Sequence, residues 1–367
     1  MTFLYEKLLK PILFSQDPEK VHDAFTFWGH LFGTIPPARW KLALFYRYRH
    51  PALRQTVAGI RFENPVGLAA GFDKDCRLMD VLPSVGFGYE EVGSITAEPY
   101  AGNPKPRLVR LPADKSIIVY YGLKNKGAKA VRPLLLNKRF RFPVGVSVAK
   151  TNREFTGDKE KLDDWIKGIS LMKDAGDYLT INVSCPNTYD PNNYCDPKLL
   201  EKLLFRIDNE KLAFGKPIFL KITADLSENQ ADEIIRIAAP RKWITGFVVS
   251  NLVKDRATVK LKSPRELHEH HKGGLSGKVQ QPKALALVRH FRKRAGDRFV
   301  LIGCGGIFTA EDAYAYIKAG ANLVQLITGM IYKGPGVIKE INKGLVRLLE
   351  KDGYTNISQA VGNENKR

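Results

Sequence analysis

The chain has 367 residues and carries 58 Lys and Arg side chains against 38 Asp and Glu, so its formal net charge is +20 at pH 7. Such a charge suits nucleic acid, anionic lipid or an anionic ligand. No helix-turn-helix, zinc-finger or RNP-like pattern accompanies it, which argues against nucleic-acid binding. No run of about eighteen apolar residues is present, which argues against a transmembrane helix.

The first fifty residues predict two amphipathic helices, the first over about residues 3–14. The second begins with Asp17 as a capping residue and Pro18 at the first helical position, and its apolar stripe is strongly aromatic. Glycine and proline at residues 33–37 are expected to end the pattern. The pair either covers the rest of the protein as a lid or lies in a membrane interface, where the eight basic against four acidic side chains of residues 1–54 would attract anionic lipid.

Eight apolar runs of strand length follow, with spacings long enough for a helix between them. Most are continuous Val, Ile and Leu runs without alternation, as in parallel strands that are covered on both faces. We therefore predict a (β/α)8 TIM barrel with an N-terminal helical extension. The predicted strands are residues 66–72, 89–95, 144–150, 178–185, 217–223, 246–251, 299–305 and 322–328.

The predicted domain boundaries follow from this arrangement. Residues 1–50 form the N-terminal helical region, residues 51–355 form the barrel, and residues 356–367 form a polar tail that we expect to be disordered. A barrel places its chemistry on the loops after the carboxyl ends of its strands. Polar residues at those ends are therefore the candidates for a site.

The fourth apolar run ends in the strongest candidate motif, Asn-Val-Ser-Cys-Pro-Asn at residues 182–187, where proline cannot continue a strand ladder. The carboxamides of Asn182 and Asn187 offer donors and acceptors to one flat polar molecule. The Cys185 thiol can act as a base or nucleophile if its pKa is lowered. For this motif alone, a small buried cysteine beside a proline turn is the other interpretation.

Two lysines follow the first and fifth runs. Lys74 and Lys221 would both face the axial cavity of a barrel, where a lysine can neutralise negative charge that develops on a reduced ring system. The residues before Lys74, including Ala70 and Gly71, are small and would let a flat ring lie against the backbone. This context favours a functional role for the two lysines over the alternative that they are ordinary surface residues after a strand.

Glycines gather near the end of the predicted barrel, in the segments 273–277 and 303–306 and at Gly329 after Thr328. Glycine lets backbone N–H groups approach an anion closely, and barrels commonly bind a phosphate in the loops after strands seven and eight. The sequence therefore predicts a phosphorylated cofactor at this position.

Seven motifs stand out along the chain: DPEKVH at 17–22, NPVGLAAGFDK at 64–74, GSIT at 93–96, GNPKPR at 102–107, NVSCPN at 182–187, GGLSG at 273–277 and YKGP at 332–335. Taken together, they closely resemble the dihydroorotate dehydrogenases, specifically the class 2, quinone-linked branch, over nearly the whole chain. The resemblance implies a barrel that holds FMN, an N-terminal helical pair that forms a membrane-facing tunnel for quinone, and oxidation of dihydroorotate to orotate in pyrimidine (UMP) biosynthesis. It also implies peripheral attachment at the cytoplasmic face of the cell membrane, and we expect a monomer.

The resemblance further implies roles for individual residues. Cys185 takes the position of the catalytic base, where class 2 enzymes have serine and class 1 enzymes have cysteine. His22 and Arg110 match residues that line the quinone tunnel. The substrate would be held by Lys74, Asn182, Asn187 and Asn251. The positions that match FMN contacts are Ala70, Gly71, Lys74, Ser94, Ser147, Lys221, Ser250, Ser276, Gly277, Gly306, Ile327 and Thr328.

Several residues depart from the class 2 pattern. Val119 replaces a substrate-binding asparagine, Leu123 an aromatic residue, and Leu252 a residue with a hydroxyl group; near the flavin, Ser147 replaces asparagine and Ile327 replaces tyrosine. Each substrate hydrogen bond lost in this way should weaken orotate binding by about 1 kcal/mol. Two alternatives therefore stay open: an FMN enzyme for another dihydropyrimidine or a less polar ring, and a catalytically silent flavoprotein that binds a membrane or a partner through its first fifty residues.

Four cysteines are present: Cys76, Cys185, Cys195 and Cys304. Their spacing is not of the metal-site type, so we expect no bound metal. No secretory signal precedes them, because Lys7 and Lys10 interrupt the first apolar stretch and no small-residue cleavage site follows. Reduced thiols in a cytosolic setting fit this pattern.

Overall fold

The computed structural model describes residues 2–136, 139–185, 187–189, 193–212 and 214–366. Within them, eight parallel strands close a barrel in chain order, so that each strand pairs with the next and the last with the first. This confirms the predicted (β/α)8 barrel. The barrel strands are β1 (Val66–Leu68), β2 (Tyr89–Ile95), β3 (Val144–Val148), β4 (Tyr178–Asn182), β5 (Ile218–Ile222), β6 (Ile244–Val249), β7 (Val300–Cys304) and β8 (Leu323–Leu326).

Several barrel strands end earlier than the apolar runs that predict them. The pairing between β8 and β1 stops at Leu326 and Leu68, whereas the first apolar run extends to residue 72. Strand β4 likewise ends at Asn182, three residues before Cys185. Because the regular ladder ends there, the side chains that follow leave the barrel wall and are available to line a cavity.

Helices connect the strands and cover the barrel. In the helix Glu228–Ala238, for example, a capping box between Ser227 and Gln230 fixes the first turn, and Ile234 and Ile237 are buried. The helices that follow the front region are Leu82–Val85, Ala128–Leu136, Asp158–Met172, Pro197–Asn209, Glu228–Ala238, Gln281–Ala295, Ala310–Ala319, Thr328–Lys333 and Gly336–Lys351. Short 3₁₀ helices lie at Pro51–Leu53, Pro112–Asp114, Arg256–Thr258, Arg265–Leu267, Lys278–Gln280, Ile357–Ala360 and Asn363–Lys366.

The two predicted front helices are present. The first is a helical segment over residues 2–14 with a π-helical turn at Tyr5–Leu9. The second, Pro18–Thr34, begins where predicted, because the Asp17 side chain accepts a hydrogen bond from the Lys20 backbone N–H at 2.9 Å. Many of the large apolar side chains on both helices are exposed.

A third front helix, Pro36–Tyr46, follows directly and corrects the prediction of two. The prolines of this segment predict an end to helical structure, yet here they start a new helix. The backbone N–H that proline lacks would be unpaired in the first turn in any case, so Pro36 and Pro37 suit that position. Trp40 and Leu44 are exposed as well, and the front region thus presents a broad apolar surface.

Two small antiparallel sheets flank the barrel. A hairpin of Gln55–Val57 and Ile60–Phe62 packs at the amino end, where the Phe62 ring meets the Tyr89 ring edge-on at 5.3 Å. The other sheet has three strands and borders the cavity at the carboxyl end. In order across the sheet they are Gly274–Gly277, Ser116–Val119 and Leu108–Leu111.

Part of the tail is ordered, which corrects the prediction that residues 356–367 are disordered. Ile357–Ala360 forms a 3₁₀ helix, and both Ile357 and Ala360 are fully buried against the barrel helices. The Asn356 side chain also donates a hydrogen bond to the Arg54 carbonyl at 2.9 Å. Contacts of these two apolar residues with the core therefore hold the start of the tail in place.

In the part of the chain that the structure describes, none of the helices combines the length and the apolar character that crossing a bilayer requires.

Candidate functional site

Three adjoining cavities lie at the carboxyl end of the barrel. The central cavity spans about 890 Å³, including space that is open to solvent. A glycine-rich cavity of about 430 Å³ shares Lys221, Asn251 and Ile327 with it. A front cavity of about 1250 Å³, beneath the front helices, shares His22 and Phe72 with it. A ligand in the central cavity would therefore lie next to both neighbours.

The structure brings most of the predicted site residues together around these cavities. The central cavity is lined by His22, Ala70, Gly71, Lys74, Ser94, Asn182, Cys185, Asn187, Lys221, Asn251, Ser276 and Ile327. The glycine-rich cavity adds Ser250, Gly306 and Thr328, and the front cavity adds Arg110. Two predicted residues lie behind the walls. The Ser147 hydroxyl is hydrogen-bonded to Ser94, and the Gly277 carbonyl lies against Gly306.

Asn182 is fixed by the ends of neighbouring strands. Its Nδ2 donates to Ser94 Oγ at 2.9 Å, and Ser94 Oγ lies 2.7 Å from Ser147 Oγ. Its Oδ1 accepts a hydrogen bond from Ser184 Oγ at 3.0 Å and lies 3.4 Å from Asn251 Nδ2. A buried amide held in this way keeps one orientation, as recognition of a flat polar ring requires.

The wall beside Asn187 is less polar than the rest. The Asn187 amide donates to the Val119 carbonyl at 2.8 Å, and the Asn103 amide donates to the Asn187 carbonyl at 3.0 Å. Val119 itself, Leu123 and Leu252 all line the central cavity. The apolar residues that depart from the class 2 pattern therefore contact the space where a substrate would lie.

Lys74 stands over an aromatic ring in the central cavity. Its Nζ lies 3.7 Å from the centroid of the Tyr121 ring, close enough for a cation–π interaction. Burial, with the nearby positive charge of Lys124 as the second cause, lowers the pKa of Lys74 to about 8. The ammonium group is thus close to its titration point near neutral pH, as at many functional sites.

Lys221 lies in the cavity floor and is paired with a buried carboxylate. Its Nζ is 3.7 Å from Glu91 Oε1, and both side chains are buried. The other carboxylate oxygen accepts hydrogen bonds from Thr180 Oγ1 at 2.9 Å and Gln325 Nε2 at 3.2 Å. Thr180 and Gln325 therefore fix Glu91, and Glu91 is the ionic partner of Lys221. The sequence does not reveal these three residues, because they lie within apolar runs.

The Cys185 thiol lines the central cavity near Lys221. Burial raises the pKa of Cys185 to about 11, although a hydrogen bond with the Asn187 backbone and the Lys221 charge act to lower it. The protein alone therefore does not provide the lowered pKa on which the sequence-based hypothesis of a reactive thiol depends. A thiol of this kind is a strong base once ionised, but only a small fraction is ionised at pH 7.

The glycine-rich cavity offers neutral hydrogen-bond donors. Ser276 Oγ lies 2.9 Å from Thr328 Oγ1. At Gly306, whose φ is +65°, a Cβ atom would come within 2.5 Å of the Gln281 side chain, so this part of the wall must remain backbone. Hydroxyl groups and bare backbone suit a phosphate group, which supports the predicted location of a phosphorylated cofactor.

The front cavity is mainly apolar, with His22 and Arg110 as its predicted polar residues. His22 Nε2 lies 2.9 Å from the Phe72 carbonyl, which can only accept, so this nitrogen carries the proton of the neutral ring. Burial lowers the pKa of His22 to about 4. The Arg110 guanidinium lies 4.6 Å from the centroid of the Phe14 ring.

Two further site residues lack a distinctive signal in the sequence. Tyr121 supplies the ring beneath Lys74, and its hydroxyl is buried without a hydrogen-bond partner among the described residues. Gln280 donates to the Asn251 carbonyl at 2.7 Å and to Ser250 Oγ at 3.2 Å. It thereby fixes the loop after β6 in the wall of both inner cavities.

Comparison with known proteins gives a consistent result. A family model described as dihydroorotate dehydrogenase matches residues 52–349. A relative named dihydroorotate dehydrogenase (quinone) from Roseiflexus castenholzii is 37% identical over 358 residues, which cover 97% of this chain and 95% of the relative. A relative of the same name from Christiangramia forsetii is 39% identical over 352 residues, which cover 95% of this chain and 99% of the relative. Among solved structures, DHODH from Eimeria tenella in complex with ferulenol superposes with a TM-score of 0.83 at 28% identity, covering 98% of this chain and 99% of that one.

Proposed function

Because the chain belongs to the dihydroorotate dehydrogenase family, we propose that it oxidises dihydroorotate to orotate with a bound flavin and passes the electrons to a quinone. The observation that carries this proposal is the central cavity. There, Lys74, Asn182 and Cys185 face one space that adjoins a glycine-rich cavity on one side and an apolar front cavity on the other. That arrangement suits a ring substrate, a phosphorylated cofactor and an apolar electron acceptor, respectively.

The residues present fit FMN as the cofactor. Ser276, Thr328 and the backbone at Gly306 would hold its phosphate in the glycine-rich cavity. Lys221 lines both inner cavities and would lie beside the ring system, where its charge compensates a reduced flavin. The buried Tyr121 hydroxyl, which has no partner among the described residues, is available to a ligand in the central cavity. When bound, FMN supplies the hydride acceptor that the oxidation needs.

The remaining chemistry belongs to side chains of the chain itself. Asn182, Asn187 and Asn251 orient the pyrimidine ring through their amides. Cys185 removes a proton from the ring carbon next to the carbonyl group. Lys74 binds the negative charge of the substrate, which is an anion at neutral pH. With the ligands bound, the apolar side chains of Val119, Leu123 and Leu252 would help to exclude water, which would strengthen these interactions.

The front region would bind the quinone and the membrane surface. The front cavity, whose polar groups include His22 and Arg110, opens toward the central cavity. The outer side of the front helices carries exposed apolar residues, among them Phe3 at 73%, Trp40 at 64% and Ile12 at 60% exposure. An apolar surface of this kind favours peripheral attachment to a bilayer. We propose that the barrel lies on the cytoplasmic side, as the free cysteines suggest.

The alternatives that the sequence leaves open have less support. Relatives of 37% and 39% identity over nearly the whole chain carry the name dihydroorotate dehydrogenase (quinone), which favours dihydroorotate over another dihydropyrimidine. The polar groups that converge on the central cavity also argue against a catalytically silent flavoprotein. Val119 and Leu252 remain the residues that distinguish this pocket.

An anaerobic titration of the purified yellow protein tests the proposal. Addition of dihydroorotate should bleach the flavin absorbance stoichiometrically, and a quinone analogue added next should restore it. Dihydrouracil, which lacks the carboxylate, is the matched control and should bleach it far more slowly. A flavin that stays oxidised with dihydroorotate would refute the proposed activity, whereas faster bleaching by dihydrouracil would reassign the substrate.

Orotate binding is expected to weaken above pH 8. Burial, with the Lys124 charge second, lowers the pKa of Lys74 to about 8, so Lys74 is charged below that pH and neutral above it. The dissociation constant for orotate should stay level below pH 8 and rise about tenfold per pH unit above it, as long as Lys74 in the complex is still charged. Calorimetric titrations from pH 6 to 10 measure the dissociation constant. The variant Lys74→Met should bind orotate weakly at every pH and show no change of slope near pH 8.

A further inference from the structure

Lys124 lines the central cavity, and its one effect described so far is that its charge lowers the pKa of Lys74. Its Nζ lies 3.2 Å from Glu19 Oε1, on the second front helix, and its side chain is 37% exposed. Glu19 is only 6% exposed and does not line any of the three cavities as described. Lys124 therefore borders the substrate space, while its ammonium group contacts a carboxylate that does not line that space.

Glu19 does not depend on Lys124 for charge compensation. Arg107 NH1 lies 3.5 Å from Glu19 Oε1, and Lys105 Nζ lies 3.7 Å from Glu19 Oε2. Arg107 is nearly buried, so its charge is held beside the carboxylate. If the Lys124 ammonium moved away, Glu19 would keep two cationic partners. Movement of Lys124 would therefore not leave a buried charge uncompensated, which is the costly outcome when a buried ion pair is broken.

A second cation beside Lys74 would strengthen the binding of a carboxylate in the central cavity. Val119, Leu123 and Leu252 make the nearby wall apolar, so a carboxylate there has few donors. Lys221 is already paired with Glu91 in the cavity floor. Lys74 is available, and the Lys124 charge is close enough to contribute to the lowering of its pKa. An anion between these two ammonium groups would relieve their repulsion and gain two charge-assisted hydrogen bonds.

We propose that Lys124 is a specificity-determining residue, which leaves Glu19 and binds the carboxylate of the substrate together with Lys74. The inference rests on the proposed function, since it concerns the same cavity. The Lys124 side chain has four rotatable bonds, and its ammonium group has three donors. The proposed change of partner is a rotation about those bonds. In this way the chain compensates for the polar groups that Val119 and Leu252 do not provide.

The test compares orotate and uracil binding to the FMN-loaded protein, because uracil has the same ring without the carboxylate. In the variant Lys124→Met, the dissociation constant for orotate should rise at least about tenfold, the usual worth of a charge-assisted hydrogen bond. The constant for uracil should change less than about twofold. The variant Lys124→Arg should restore most of the orotate affinity, and the quinone KM should be the same in all three proteins.

The variant Glu19→Gln separates this role from a structural one. It removes the carboxylate that holds Lys124 outside the cavity, so orotate should bind as tightly as in the unmodified protein or more tightly. If Lys124 acts only as a tether between the front helix and the loop, Glu19→Gln should instead weaken orotate binding as Lys124→Met does, which would overturn the inference. Equal orotate affinity in Lys124→Met and the unmodified protein would overturn it as well. Failure of the proposed function looks different, since the unmodified protein would then neither bind orotate nor be reduced by dihydroorotate.

Discussion

Replacement of Cys185 by alanine is expected to leave the flavin bound and to slow its reduction by dihydroorotate at least about a hundredfold, the usual worth of a general base. The thiol lines the central cavity, whereas the groups assigned to the phosphate lie in the glycine-rich cavity. Loss of the sulfur should therefore affect proton removal and leave cofactor retention unchanged. Stopped-flow measurement of flavin bleaching under anaerobic conditions gives the rate, and the absorbance of the purified variant gives the flavin content.

The pH dependence of the same rate identifies the base. Because burial raises the pKa of Cys185 to about 11, the thiolate fraction grows about tenfold per pH unit throughout the neutral range. Reduction at saturating dihydroorotate should rise accordingly between pH 6 and 9. In Cys185→Ala the slow residual rate should lose this slope. Cys185→Ser is the matched control, since it keeps a proton-accepting atom at the same place and should be less impaired than alanine. A steep slope retained by the alanine variant would assign proton removal to another group.

The barrel follows from the sequence because its eight strands are buried on both faces and therefore appear as continuous apolar runs. What the runs do not reveal is where pairing stops. The apolar run of β1 continues to residue 72, but its pairing with β8 ends at Leu68. Residues 69–72, which the run includes but the strand does not, are the segment that lines the site. The third front helix shows a second limit. Pro36 and Pro37 end the helical pattern before them and also begin the next helix. The helix Pro36–Tyr46 is therefore missed when proline is treated only as a residue that ends helices.

The site itself was predictable to the extent that its residues follow strands. Asn182, Cys185 and Lys221 lie at strand ends, and topology alone brings such positions together. Glu91 and Gln280 could not be found in this way. Glu91 is a charged residue inside an apolar strand and becomes meaningful only when Lys221 is seen 3.7 Å away. Gln280 is brought to the loop after β6 by a short 3₁₀ helix that has no periodic signal.

Removal of residues 1–46 is expected to reduce quinone turnover at least about a hundredfold while dihydroorotate still reduces the flavin. Much of the wall of the front cavity comes from this region, including Val21, Phe25 and Trp28. The barrel core is formed mainly by residues after position 51, so it should fold without them. Burial of only about 110 Å² of apolar quinone surface corresponds to about 2.7 kcal/mol, or a hundredfold in affinity. The measurements are single-turnover reduction by dihydroorotate and steady-state turnover with a short-chain quinone.

Two point variants show whether the cavity or the outer surface is responsible. Val21→Trp fills the front cavity without removing a helix and should raise the quinone KM, with flavin reduction by dihydroorotate unchanged. Trp40→Ser changes an exposed side chain outside the cavity wall, so it should leave turnover with a soluble quinone intact and weaken only the attachment to vesicles. Undiminished quinone turnover in the truncated protein would mean that electrons leave the flavin by another route. Loss of reduction by dihydroorotate in a truncated protein that retains FMN would mean that the front helices, through His22 and Glu19, also shape the substrate side of the cavity.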